Sequence, residues 1–123
     1  MSKLALAAAI FATIGKLPFE DMPMPEFGDG VVLRVNVMTG AQRELMNSAW
    51  REQSKKQGDK TEGFGTMVLI FSTTDTDGNS VFTPEHFDDI GKLHGAAIQR
   101  LIQASLKINK MLADSVEAEE KNS

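Results

Sequence analysis

Thr66-Met67-Val68-Leu69-Ile70-Phe71-Ser72-Thr73-Thr74 is apolar on both of its faces. A short run of this kind suits a buried strand or a buried helical turn, and periodicity alone does not separate them. Its β-branched residues, its length and the glycines before it (Gly63, Gly65) favour a strand. Asp75-Thr76-Asp77-Gly78-Asn79 then reads as a turn, and Ser80-Val81-Phe82 as a return strand that closes a hairpin. A rival reading places Thr66 to Thr74 in a helix and makes the chain mostly helical.

Upstream, Val31 to Met38 alternates cleanly. Val31, Leu33, Val35 and Val37 point one way, and Val32, Arg34, Asn36 and Met38 the other, as in a strand. Pro18, Pro23, Pro25, Gly28 and Gly30 keep residues 16–30 out of an α-helix. Met22-Pro23-Met24-Pro25 is expected to be extended, as an edge strand or a polyproline-like arm. Thr39-Gly40-Ala41-Gln42 fits a capping box and opens a helix. Leu45 with Ala49 and Met46 with Trp50 supply its apolar face. The helix should fade near Gln57-Gly58, and Gln53 to Gly63 is polar enough for an exposed loop.

Downstream, Thr83-Pro84-Glu85 is a helix start, and a short helix runs to about Ile90. A longer helix is expected from Lys92 to Leu112. Leu93, Ala97, Leu101, Ala104, Ile108 and Met111 form its stripe, widened by Ile98, Ile102 and Leu106. That width suggests a partner surface. The predicted fold is α+β: a single domain with a small, mainly antiparallel sheet and two principal helices. Residues 1–18 form an N-terminal apolar helix or docking segment, 19–112 the domain, and 113–123 an acidic disordered tail.

The N-terminal run Leu4 to Ile14 has 11 residues and follows Lys3. It resembles the apolar core of a secretion signal, but no clear small-residue cleavage site follows it. It is shorter than a membrane span of about 20 residues. An Ala-rich helix ended by Gly15 and Pro18 is expected, burying one face or docking on a partner subunit.

The 123 residues suffice for one core. A net charge of −4 argues against a domain that grips nucleic acid through its phosphates. Arg51, Lys55, Lys56 and Lys60 form the one basic cluster, read as a solvated face. With no cysteine, disulfides, thiol nucleophiles and Cys-ligated metals are excluded. Placing Gly78 at position 6 of a calcium loop puts Pro84 at position 12, where an oxygen ligand is required. His86 and His94, with Asp88 and Asp89 between them, do not make a closed zinc set. There is no Gly-x-Ser-x-Gly elbow, and Gly63 and Gly65 lack a phosphate-loop context. The chain is therefore read as a non-enzyme without a cofactor.

Three blocks of sequence resemble one family. The first is Pro25-Glu26-Phe27-Gly28, then the strand with Arg34, then Met38-Thr39-Gly40-Ala41-Gln42-Arg43-Glu44. The second runs from the apolar segment through Asp75-Thr76-Asp77-Gly78-Asn79-Ser80-Val81-Phe82-Thr83. The third is the helix with Ala97, Arg100, Leu101, Ala104, Ile108 and Asn109. Their order over about residues 19–112 is similar to the tail assembly chaperones of long-tailed, lambda-like bacteriophages. The apolar N-terminus and the Gly-rich loop of Lys55 to Gly65 depart from that pattern.

The resemblance implies an assembly factor in the host bacterial cytoplasm. It would coat the tape-measure protein, help recruit tail-tube subunits and be absent from the finished virion. It also implies a minority longer form made by a backward ribosomal slip, with the present chain as the short form. Glu120-Lys121-Asn122 permits such a site, because GAA-AAA-AAC contains the slippery heptamer. The alternative function is a small structural tail-completion or neck protein, and a regulatory module is a third. Self-association into a ring or spiral is expected, with neither nucleic acid nor membrane as a partner. The candidate partner or self-association surface is Met22, Met24, Leu93, Ala97, Leu101, Ile102, Ile108 and Met111. The seven methionines suit either an adaptable surface or plain core filling.

Overall fold

The computed structural model describes residues 2–111. The expected acidic tail and the Glu120-Lys121-Asn122 site lie outside them.

Ser2 caps the first helix, α1 (Lys3–Phe11), by accepting the Ala5 N–H at 3.1 Å. The chain turns at Gly15, in the left-handed region at φ +78°, and enters strand β1 (Phe19–Pro23). Pro25–Phe27 is a 3-10 turn. Strand β2 (Val32–Asn36) returns antiparallel, pairing Phe19 with Asn36 and Pro23 with Val32. The expected extension at Met22-Pro23 is therefore the end of an edge strand, and Pro25 already begins the turn.

The capping box forms as the sequence predicts. Thr39 Oγ1 accepts the Gln42 N–H and Gln42 Oε1 accepts the Thr39 N–H, which opens helix α2 (Gly40–Lys56). Met46 is buried in this helix and Leu45 is exposed, so the apolar face is narrower than the paired spacings suggest.

The run read as a strand is a helix, α3 (Phe64–Ser72), followed by the two-residue strand β3 (Thr73–Thr74). Met67, Val68, Leu69 and Ile70 are all buried, because α3 passes between α2 and the last long helix. A helix covered all round has no polar stripe to reveal its period. Tertiary burial overrides the β-branched preference. Its N-terminus, Gly63, has φ +90°, and a Cβ there would overlap the Phe87 ring. The expected hairpin shrinks to β3 and a single bridge, Thr74 to Ser80.

A 3-10 turn (Pro84–His86) leads into α4 (Phe87–Ile90), and α5 (Gly95–Ile108) ends the described fold. Helix α5 starts later than Lys92, because the His94 side chain caps it. Nδ1 accepts the Ala97 N–H at 3.2 Å. The broad apolar arc of α5 is used inside the molecule: the helix packs on α3 and on β2. The sheet order is β1-β2-β3, all antiparallel, so the fold is the predicted single α+β domain with α3 as a further helix in its centre.

A polar cluster joins the layers. Asn109 Oδ1 accepts the Met38 N–H at 2.9 Å. Its amide Nδ2 reaches Ser72 Oγ at 3.1 Å and the Ser105 carbonyl at 3.0 Å. Asn36 Nδ2 donates to the Ser72 carbonyl at 2.9 Å. One residue past α5 thus satisfies backbone and hydroxyl groups from β2 and the end of α3, as buried polar groups require.

Candidate functional site: an apolar groove and an uncovered helix

The groove begins where β1 ends. Met24 is buried, and its N–H donates to the Val31 carbonyl at 2.8 Å, which closes the loop between β1 and β2. The 3-10 turn beyond it is tied to α5 by a two-pronged ion pair. Arg100 Nη1 lies 2.6 Å from Glu26 Oε2, and Nη2 lies 2.9 Å from Oε1. Paired planar groups of this kind fix orientation as well as charge. The Arg100 hydrogen bonds, helped by the Glu26 backbone N–H, pull the Glu26 carboxyl down to about 2.

The anchored turn carries Phe27, which lines the groove together with Glu26, Val31 and Leu33. Val81, Phe82 and Leu93, with Lys92 and His94, complete the lining. Between them lies an open groove of about 580 Å³. A second hollow of about 290 Å³ adjoins it across Val81, Phe82 and Leu93, with Ile90 at its base. Phe82 meets the His86 ring edge-on at 6.3 Å. Asp89, on α4, lies on the rim of that hollow and pairs with the exposed Lys92 at 3.2 Å.

Both histidines serve the backbone. His86 Nδ1 accepts the Thr83 N–H at 3.0 Å, while His94 caps α5. Asp75 also acts locally. Its Oδ1 accepts the Asp77 and Asn79 N–H groups at 2.9 Å each, and the Asn79 bond leads in holding its carboxyl below the usual range. Among the described residues, no cluster of three His or acidic side chains could hold a metal ion. None of their helices is long and apolar enough to cross a membrane.

The eight residues of the expected partner surface divide. Met22, Met24, Ala97 and Leu101 are buried in the core and have almost no area to offer a partner as folded. Ile102, Ile108 and Met111 are half-buried against that core. Leu93 is 41% exposed and lies in the groove. The structure therefore joins Leu93 to Phe27, Val31, Val81 and Phe82, which are far apart in sequence.

The other apolar surface is α1. No residue of this helix is buried, and Leu4, Leu6, Ile10 and Phe11 are 50–85% exposed. Ile14 continues the patch beyond the helix.

No protein-family model matches this sequence, and no curated protein matches it. A solved structure does match. The bacteriophage HK97 tail assembly chaperone aligns with a TM-score of 0.55 at 16% identity, covering 85% of this chain and 96% of that one. The chain shares the fold of a tail assembly chaperone. The alignment takes in nearly the whole of the neighbour, so the similarity concerns a complete fold rather than a common motif. At this identity the likeness is carried by how the elements pack.

Sequence reasoning did not single out Val31, Val81 or Phe82 as surface residues. The signal available is indirect: the Pro25-Glu26-Phe27-Gly28 step and Ser80-Val81-Phe82 are both motif residues, and Glu26, Phe27, Val81 and Phe82 line one groove.

Proposed function

We propose that this chain is a tail assembly chaperone of a long-tailed phage. It binds the tape-measure protein in the host bacterial cytoplasm, keeps that protein soluble, and helps bring tail-tube subunits to it. The role is binding, without catalysis or a cofactor. The shared fold with the HK97 chaperone is the observation that carries this reading. The physical features agree with it. A largely helical, apolar partner needs apolar surface to cover it. This chain exposes such surface in two places, on α1 and in the groove. Its net charge of −4 favours solubility while that surface is unoccupied.

The test is co-expression with the tape-measure protein encoded in the same genome. The tape-measure protein should move from the insoluble to the soluble fraction and co-purify with this chain, and purified virions should lack the chain. Retention in virions would instead identify a tail-completion or neck protein. The longer form is tested by reading codons 120 to 122. Without the slippery heptamer, the short chain acts alone.

A further inference from the structure

The apolar lining of the groove comes from Phe27, Val31, Leu33, Val81, Phe82 and Leu93, and its polar lining from Glu26, Lys92 and His94. The fold already commits part of what those three can bond, and what remains is one-sided. Glu26 gives both carboxylate oxygens to Arg100, at 2.6 and 2.9 Å, so its charge is matched inside the molecule. His94 accepts the Ala97 N–H on Nδ1 at 3.2 Å, which puts the proton of the neutral ring on Nε2 and makes that nitrogen a donor. Lys92 brings a positive charge. Its pairing with Asp89 at 3.2 Å joins side chains that are 76% and 71% exposed, an arrangement worth little and easily exchanged. Asp89 lines the second hollow, while Glu85 and Asp88 line a separate one beside Lys56. The groove itself therefore combines an apolar lining with spare donors and a positive charge, and its one carboxylate is already bound by Arg100.

The shape adds a second requirement. The groove of about 580 Å³ and the hollow of about 290 Å³ adjoin across Val81, Phe82 and Leu93. Adjoining hollows of this kind take apolar side chains from one face of a helix, at i and i+3 or i+4. An occupant that covered Lys92 and His94 with apolar surface alone would bury donors without acceptors, which is unfavourable.

We infer that the groove selects an amphipathic partner helix carrying an Asp or Glu carboxylate within a turn of its apolar anchors, and that Lys92 and His94 read that carboxylate. The anchors fill the two hollows, and the carboxylate accepts from Lys92 Nζ and His94 Nε2. This inference rests on the chaperone reading for the existence of a helical partner, and it adds what that partner must carry. The two fail separately. A chain that solubilises the tape-measure protein but shows no preference for acidic helices would sink this inference and leave that reading standing.

The test uses the full chain and two synthetic helical peptides. Both carry leucines at i, i+3, i+4 and i+7, and they differ at one position on the same face, glutamate in one and lysine in the other. Titration followed by NMR of the Val81, Leu93 and His94 side chains reports affinity and site together. The glutamate peptide should bind about tenfold more tightly, because the lysine peptide exchanges an attraction for a repulsion. The difference should shrink at high salt. Equal affinities, failure of both peptides to bind, or shifts confined to α1 would overturn the inference. So would shifts at Val81 and Leu93 on raising the chain concentration alone, which would show a second copy filling the groove.

Substitution at His94 separates reading from capping. Aspartate is among the best helix-capping residues, so His94→Asp should keep the start of α5, as circular dichroism and urea unfolding check. The groove donor becomes an acceptor. Combined with Lys92→Glu, it should reverse the preference, so that the lysine peptide binds more tightly. His94→Asn, which caps and still donates, should keep the original preference. A folded His94→Asp/Lys92→Glu chain that still prefers the glutamate peptide would overturn the inference.

Discussion

Helices α1 and α3 are each nine residues long and both are strongly apolar, yet they have opposite fates. Helix α3 buries Met67, Val68, Leu69 and Ile70 between α2 and α5, whereas α1 buries nothing. The difference lies in what surrounds each segment. Helix α3 is entered from α2 and leads into β3, so both of its ends are tied into the domain. Helix α1 is joined to the domain through the turn at Gly15, and no element of the described residues buries any part of it. Apolar composition gives a helix the drive to be covered. Chain connectivity decides whether the cover comes from its own chain.

The largest effect should come from truncating one side chain in each helix. Leu69→Ala removes a fully buried side chain and leaves a cavity, at a cost of about 2–5 kcal/mol. Phe11→Ala removes a larger side chain that is 66% exposed, and the monomer should change by less than about 0.5 kcal/mol. Urea unfolding at low protein concentration compares the two. A Phe11→Ala cost equal to that of Leu69→Ala would mean that α1 is covered within its own monomer, and the contrast would fail.

Gly65 should give the next effect. A Cβ on Gly65 would lie 2.6 Å from Ile102 Cγ2, so Gly65→Ala forces α3 and α5 apart. Overpacking of this kind costs about 1–3 kcal/mol. Alanine's better helix propensity returns about 1 kcal/mol, so the net change remains destabilising. Ile102→Ala removes Cγ2. The double variant Gly65→Ala/Ile102→Ala should therefore lose less stability than the two single changes added together. Strict additivity would show that the close approach does not govern this packing.

These residues also show what the sequence made legible. The Thr39 cap and the β2 alternation depend on neighbours within a few positions, and both were read correctly. Helix α3 depends on α2 and α5 for its cover, and nothing inside its nine residues reports that. Gly65 reads as a loop residue until Ile102 is placed against it. The wide arc of α5 suggested an outside partner, when α3 and β2 already cover much of it. The same limit applies to the candidate site. Leu93 was identified as apolar surface, but its groove is assembled from three separate segments. Met22 and Met24 read as partner surface in the sequence, while contacts distant in sequence bury both in the core.

Asn109 sharpens the contrast from the polar side. Asn109→Ala leaves the buried Met38 N–H without its acceptor and Ser72 Oγ without its donor. A cost of about 1–3 kcal/mol is expected. Amide exchange should rise first at Met38 and at the end of α3, where the cluster acts, and leave α1 unchanged. Faster exchange throughout α1 would show the two ends of the chain to be coupled.

The smallest effect separates the groove from α3 by pH. Residues 64–72 contain no titratable side chain, so the packing of α3 has no ionisation of its own. The groove wall depends on Glu26, whose carboxyl falls from its ordinary 4.5 to about 2, chiefly through the Arg100 hydrogen bonds. A depressed carboxylate stabilises the fold above its unfolded value and loses that contribution as the pH falls toward its folded value. The Glu26–Arg100 pair should therefore hold in full above about pH 4.5 and be lost between there and pH 2. Glu26→Gln removes the ionisation and should flatten this part of the pH profile. The difference in stability between the variant and the unaltered chain should be constant above about pH 5 and shrink as the pH approaches 2. Side-chain NMR of Glu26 tests the assignment directly. A carboxyl midpoint near 4.5 would mean that Arg100 does not hold the 3-10 turn in solution, leaving the Phe27 wall of the groove without its anchor.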